Sequence, residues 1–360
     1  MSIKSTLKIN INVSGASASH RSRTGRRRYG RIMKRILSMM LCMVMLTGCF
    51  AGLTGCGKED NKLVIYASCE DYRIEDLRKQ LKEKFPDIDV TVEYYSTGNA
   101  TAKLKAEGNK TEADIVIGLE TASMQQIADM MADLSNFKTD HYLEGANDSD
   151  NRYIIFEKYE GAVIVNTKTL QDKGIPEPKS YDDLLKPEYK GQIAMPNPKT
   201  SGTGYMFLYT WANTMGDDKA YAYVDKLQEN IKSFTESGSG PMKMLAQGEV
   251  AVGLGMIFQA ATQITEGIPL KVLQFEEGCP YNTTAMSIIK GRENDENVIK
   301  IFNFLNEEFA YYDKALYSPG KILKNQEIKI QNYPQNIKSA DMSGITDEEQ
   351  KQRLLSRWKY

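Results

Sequence analysis

Short apolar runs alternate with amphipathic stretches along most of this chain, and that alternation defines its elements. "KLVIYAS" (62–68) is a compact apolar run that predicts a buried strand. From Asp71 to Phe85 the apolar residues Ile74, Leu77, Leu81 and Phe85 share one helical face, with Asp71 placed to cap the helix and Pro86 to end it. "IDVTVEYY" then alternates as a strand, "NATAKLKAEG" reads as a helix, "ADIVIGL" as a third buried strand and "TASMQQIADMMADL" as a third helix. Strand and helix recur at a spacing of about 25 residues, the pattern of a parallel α/β sheet.

The rhythm changes further on. "KYEGAVIVNTKTL" (158–170) predicts a strand, followed by a Pro-bounded polar segment, the strand "QIAMPN", and a helix opened by Gly-Thr-Gly and running to Met215. Another helix follows from Asp217 to Leu227. "SGSGPMKMLAQGEVAVGLG" reads as a loop, a short helix with Pro241 in its first turn, and a strand. After "IPLKVLQF" and "TTAMSIIKG" come a helix from Glu296 to Ala310, a mostly polar tail from Gln326, and a closing helix in "TDEEQKQRLLSRWKY". No internal repeat or low-complexity tract is present. Two α/β blocks, joined near residues 160–170 and 270–280, predict two lobes with a cleft between them.

Charge separates the first 56 residues from the rest. They carry ten of the 46 Lys and Arg and no Asp or Glu, leaving 36 basic against 47 acidic side chains beyond Cys56, a formal net of −11. A body this acidic is a poor match for nucleic acid, which selects basic faces. The basic leader reads as an export signal: "RRRYGRIMKR" is a positive n-region and "ILSMMLCMVML" an apolar h-region too short to span a bilayer. Two copies of "LTGC" follow, ending at Cys49 and Cys56, and resemble the bacterial lipobox whose Cys is acylated. Cys56 is favoured because polar "GKED" follows it, with Cys49 the alternative. Met33 starts a normal signal-peptide opening, so residues 1–32 are either a misplaced start or an extended n-region. The expected location is the outer face of the cytoplasmic membrane, extracellular or periplasmic, on a lipid anchor.

Catalytic and metal chemistry finds little material. Beyond the leader only Cys69 and Cys279 remain, free to pair or to stay apart, and His141 is the one histidine. There is no CxxC, no P-loop, no GxSxG and no HExxH, and Gly253-x-Gly255 is followed by Met, Ile and Phe rather than completing a dinucleotide fingerprint. Neither a cofactor nor a metal is expected. An enzyme of similar two-lobed fold, the alternative of another class, would need a nucleophile or covalent cofactor, and Cys69 and Cys279 are the only thiols beyond the leader to mutate.

The lipobox, "LVIYAS", "FPDIDV", "YEGAVIVNT", "SYDDLLKPEYKGQIAMPNP", "AQGEVAVGLG", "EEGCPYNTTAMSIIKG" and the closing "RLLSRW" occur in an order that resembles the extracellular solute-binding proteins of ABC importers. The resemblance is to the type II fold group that includes ferric-ion, sugar-phosphate and aminoethylphosphonate binders, and it covers roughly residues 58–360. It implies an α/β, two-lobed fold closing on a small-molecule solute, a monomer with no chemistry of its own, and delivery to an ABC permease in the membrane. On this reading residues 1–56 are the signal segment, 57–164 with 270–325 the first lobe, 165–269 the second, and 326–360 a tail.

In such a fold ligands lie at the carboxyl ends of strands, where helices begin. Thr200, Ser201, Gly202 and Thr203 precede one helix, and Ser237, Gly238, Ser239 and Gly240 precede another. Helix starts present unpaired N–H groups, Gly lets an anion approach them, and Ser or Thr adds hydroxyl donors. Two such mouths suit a phosphate, phosphonate or carboxylate. In the other lobe Ser68, Glu70 and Glu120 stand at strand ends, where a carboxylate would face an amine on a zwitterionic solute; plain capping or solvation is the alternative. Phe258 and Tyr281 are candidate aromatic walls. Ferric ion is the competing cargo, together with polyamines or other cations. The resemblance places iron-binding tyrosines just after the strand "VAVGLG", where this chain has "GMIFQAA", and the pairs Tyr94-Tyr95 and Tyr311-Tyr312 fall elsewhere.

Overall fold

A computed structural model describes residues 62–360 apart from 147; the leader, Cys49 and Cys56 lie outside the described residues. Strand β1 (Lys62–Ala67) is flanked by β2 (Asp89–Tyr94) and β3 (Ile115–Glu120), both parallel to it. Helix α1 (Asp71–Lys84) links β1 to β2 and α2 (Thr97–Glu107) links β2 to β3. The apolar stripe of α1 does what its spacing predicts, burying Ile74, Leu77 and Leu81. Its N-cap, however, is Glu70 rather than Asp71, which occupies the first helical turn.

One long strand carries the chain from the first half of the sheet to the second. β4 (Ile154–Asn166) pairs antiparallel with β9 (Tyr281–Ile288) over Ile154–Glu160, then with β7 (Val252–Met256) and β8 (Leu270–Leu273) over Gly161–Asn166. β9 returns to pair antiparallel with β3, and β5 (Ile193–Pro196) lies between β7 and β6 (Ile231–Thr235). The order is β2-β1-β3-β9-β4-β7-β5-β6, with β8 also on β4. The expected parallel sheet is therefore mixed, because the chain crosses between halves on two antiparallel strands.

Helix α3 (Thr121–Gln125) is much shorter than the apolar pattern suggested. Met131 bridges to Ile289 and the Ala132 N–H bonds to the Ile288 carbonyl, so these apolar residues serve a sheet edge instead. Likewise the β4 strand ends before Thr167: the Asn166 side chain accepts the Thr169 N–H at 3.0 Å and starts α4 (Thr167–Lys173). The first half of the sheet buries Ile65, Ile117, Phe156, Phe302 and their neighbours.

The second half has a core on each face. On one, α5 (Gly202–Met215) is buried along nearly its whole length and packs Tyr205, Phe207 and Trp211 beside α6 (Asp217–Leu227). Such all-round burial is what an apolar, charge-free helix requires. On the other face α7 (Gly240–Ala246) and α8 (Ile257–Thr265) cover Ala162, Ile164 and Ala194. Helix α9 (Glu296–Phe304) runs through a π-helical turn at Leu305–Phe309 into α10 (Ala310–Leu316), beyond the Ala310 end that the pattern predicted. The closing helix α11 (Glu348–Arg357) seats Leu354, with Trp358 after it, in the second core. Among the described residues no helix is long and apolar enough to cross a membrane.

Candidate ligand cleft

The two halves of the sheet face each other across a cavity of about 60 Å³. Its wall is built where parallel strands end and helices begin, as expected for open α/β sheets. β1 is followed by Ser68, Cys69 and Glu70, β2 ends in Tyr94 and leads to Ser96 and Thr97, β5 leads to Thr200–Thr203, and β6 leads to Ser237–Ser239. Met256 ends β7, Gly118 comes from β3, and Glu157, Tyr159 and Thr284 complete the wall from β4 and β9, the strands that form the crossing.

Two β-bulges aim this crossing at the cavity. Register shifts between Ile117 and Leu119 and between Ile155 and Glu157, both opposite Ala285, which leaves Gly118 and Phe156 as the extra residues. Gly118 takes a φ of 76°, and a Cβ there would stand 2.5 Å from the Cys69 Sγ, so glycine is required on both counts. On the other strand the bulge leaves Phe156 in the core and turns Glu157 toward the cleft.

One side of the wall is hydroxyl-rich and lies at helix starts. Ser201 caps α5, its Oγ accepting the Gly204 N–H at 3.4 Å, which leaves the Gly202 and Thr203 amides without an intrahelical acceptor. Ser96 occupies the N-cap of α2 but makes no capping bond. The Oγ atoms of Ser68 and Ser96 and the Oγ1 of Thr284 are buried and have no hydrogen-bond partner among the described residues. Buried polar atoms rarely go unserved, so three around one small cavity mark places for a ligand's acceptors. Ser237 and Ser239 meet at 3.1 Å between their Oγ atoms. The two loops touch, since a Cβ on Gly238 would lie 2.5 Å from Thr203 Oγ1.

The other side is acidic. Among the described residues, Glu70 and Glu157 are the only charged ones on the wall. Behind them Arg73, 2% exposed, donates from Nη1 to Glu70 at 2.9 Å and Glu157 at 3.0 Å, and grips Asp313 through Nε and Nη2 at 2.9 and 2.7 Å. Gln259 Nε2 donates to the second Glu70 oxygen at 3.0 Å, and Lys314 pairs with Asp313. Burial raises the pKa of Glu70 against the pull of Arg73. Burial also opposes the charge of Arg73, yet Asp313 and Glu157 outweigh it and hold its pKa well above the ordinary value. Three carboxylates face two cations in this cluster, so with all of them ionised one negative charge is left over beside the cavity.

Of the residues singled out from sequence, Ser68, Glu70, Thr200, Ser201, Gly202, Thr203, Ser237, Gly238 and Ser239 come together here, and four do not. Glu120 is fully buried: its carboxylate accepts the Ala122 and Ser123 N–H groups, the Ser123 hydroxyl and Asn282, and pairs with Lys351 of α11. Phe258 is a core residue beneath the Arg73 guanidinium. Tyr281 packs on the second core with the Lys158 ammonium 4.3 Å from its ring centre. Gly240 lies against Thr235, where a Cβ would be 2.4 Å from the Thr235 Cβ.

The wall also includes Tyr94, which the pattern had set aside on a strand. "STG" at Ser96–Gly98 is a third Ser/Thr/Gly mouth of the kind recognised twice elsewhere, and it went unread. Cys69 and Cys279 are both free thiols, each pKa raised by burial, that of Cys279 to about 11.

The cleft is shut. The Gly98 N–H donates to the Thr200 carbonyl at 3.0 Å, Lys243 reaches Asp71 at 2.8 Å, and Asn99 bonds to Glu236. These bonds join helices that begin beside β1 and β2 to the loops after β5 and β6 and to helix α7.

A two-lobed α/β architecture with a polar cleft between the lobes is the architecture of a solute-binding protein. The family model described as bacterial extracellular solute-binding protein matches residues 83–321, and the chain belongs to that family. A Haemophilus influenzae protein named only as uncharacterized is 30% identical over 264 residues, which is 70% of this chain and 75% of that one. The periplasmic binding protein AfuA from Actinobacillus pleuropneumoniae, solved with exogenous fructose-6-phosphate bound, is 26% identical. Its TM-score is 0.72, with 82% of this chain and 97% of that one covered. The periplasmic binding protein P5PA also has a TM-score of 0.72 at 23% identity, covering 83% of this chain and 98% of its own. The protein is the solute-binding component of an ABC importer, and a carrier rather than an enzyme.

Proposed function

We propose that the cleft captures a small anionic or zwitterionic solute through a phosphoryl or phosphonyl head, held by the hydroxyl-rich side, and delivers it to the permease. The observation that carries this reading is a set of unspent donors around the cavity: the Gly202 and Thr203 amides and the Ser96 hydroxyl at two helix starts, with the Ser68 hydroxyl after β1 and the Thr284 hydroxyl on β9. Size agrees. A cavity of about 60 Å³ is roomy enough for a small polar head group and not only for a single water. AfuA, solved with a sugar phosphate, supports the same class by similarity. We place lipidation at Cys56, which would hold the protein on the outer face of the membrane.

A second reading has its own observation. Glu70 and Glu157 on a wall without Lys or Arg favour a cationic group, either the amine of a zwitterion or a cargo that is wholly a cation. A thermal-shift screen separates these. It compares inorganic phosphate, sugar phosphates, aminoalkylphosphonates, polyamines, carboxylates and ferric citrate. A ligand at a thousandfold excess over Kd adds about 4 kcal/mol of stability. Shifts with phosphorus compounds, largest for an aminoalkylphosphonate if Glu157 binds an amine, support the proposal. Shifts confined to polyamines or ferric ion would reject it.

A further inference from the structure

The closed cleft holds a second chamber. The hydrogen bond from Gly98 to Thr200 crosses the cleft at 3.0 Å, and near it lies a chamber of about 210 Å³ that shares Thr97, Ser201 and Gly202 with the hydroxyl-rich cavity. Its charge is opposite in sign to that of the first. Lys105, Lys199 and Lys351 line it, and no Asp or Glu does. Lys351 is buried and neutralised by Glu120, but Lys105 donates to the neutral Gln126 amide at 2.9 Å. Among the described residues neither Lys105 nor Lys199 has a carboxylate within ion-pairing distance. In a body with a formal net of −11 beyond Cys56, a pocket open on one side with two ammonium groups that meet no carboxylate among the described residues is a departure that calls for an anion.

We propose that this chamber is a second oxyanion site, accepting a tetrahedral dianionic group such as phosphate on Lys105 and Lys199. The group is either a free ion or the second phosphoryl group of a longer solute whose first end lies in the hydroxyl-rich cavity. Lys105 stands on α2 and Lys199 on the loop after β5, on opposite sides of the cleft, so an anion between them favours the closed arrangement by bridging it. The site stands apart from the assignment of the first cavity, because its lysines do not touch that cavity.

Calorimetric titration of the purified protein tests it, with inorganic phosphate and pyrophosphate as separate probes. The variants are Lys105→Met with Lys199→Met, and Ser96→Ala with Thr284→Val in the first cavity. Both lysines are exposed, so their loss leaves the fold intact, which an unchanged melting temperature without ligand verifies. Each lysine is expected to contribute about fivefold, giving a loss of roughly 25-fold in the double variant. If that loss appears with inorganic phosphate, the group is a free ion; if only with pyrophosphate, it is the second group of one solute. Binding of both probes unchanged by the lysine substitutions, or no binding of either to the unaltered protein, overturns the proposal. Lysine dependence with no effect of the Ser96 and Thr284 substitutions would leave this site standing and remove the reading of the first cavity.

Discussion

Gly98→Ala should uncouple closure from folding. Gly98 is the second residue of α2, outside the left-handed region, so alanine suits its backbone and raises intrinsic helix propensity by up to about 1 kcal/mol. In the closed cleft the new Cβ would sit 2.3 Å from the Lys199 carbonyl oxygen and 2.9 Å from the Thr200 Cα. Both are backbone atoms from across the cleft, and neither can rotate aside. Restoring ordinary contact at 3.4 Å needs a retreat of about 1 Å, which stretches the 3.0 Å Gly98–Thr200 hydrogen bond beyond bonding range. Losing that bond costs about 1 kcal/mol, and the overpacking adds about 1–2 kcal/mol. The closed state is then disfavoured by about 2–3 kcal/mol, which lowers solute affinity roughly 30- to 150-fold. Calorimetry with the best compound of the screen reads the affinity, and small-angle scattering reads whether ligand still compacts the protein. Wild-type affinity and compaction in the variant would show that Gly98 does not limit closure, because the close contact exists only when the lobes meet.

Other consequences follow from the buried charges and the core. Arg73→Met strands Asp313, Glu157 and Glu70 around an apolar side chain and should cost about 3–5 kcal/mol by urea denaturation, with Arg73→Met plus Asp313→Asn recovering part of it. Lys351→Met should cost a similar amount by leaving Glu120 buried and unpaired, and it should do so without ligand present. Burial works against the charge of Asp313, but Arg73 and Lys314 lower its folded pKa below the ordinary carboxylate value. Its contribution to stability is therefore present above the unfolded pKa of about 4 and is lost as pH falls through the depressed value; Asp313→Asn should flatten the acid limb of a stability–pH curve in that window. Because burial raises both thiol pKa values, Cys69 and Cys279 should resist iodoacetamide at neutral pH in the native protein and react once it is unfolded, as read by intact mass.

Much of the fold was legible because period and punctuation agreed with the tertiary context. The 217–227 helix lies where its pattern placed it, and the loop–helix–strand order of residues 237–256 follows from Gly, Pro and the apolar run. Legibility failed where tertiary demand overrode local pattern. Met131 and Ala132 look helical but serve a sheet edge, and the bulges at Gly118 and Phe156 depend on a strand, β9, more than a hundred residues away. The cleft divides the same way. Ser and Gly at helix starts announce themselves through spacing, whereas Glu157 and Thr284 sit inside strands and reach the cavity only through register. Glu120 shows the converse: a carboxylate at the right strand end was drawn off by Lys351, from a helix at the far end of the chain.

Solute capture depends on the hydroxyl-rich side of the first cavity, which titration of a Ser96→Ala, Ser201→Ala, Thr284→Val triple variant against phosphorus oxyanions tests. Each lost hydrogen bond to a charged head is worth about 1.5–3 kcal/mol, so affinity for phosphate or a phosphonate should fall at least a hundredfold while the protein remains folded. Undiminished binding of those compounds by the triple variant would contradict the claim.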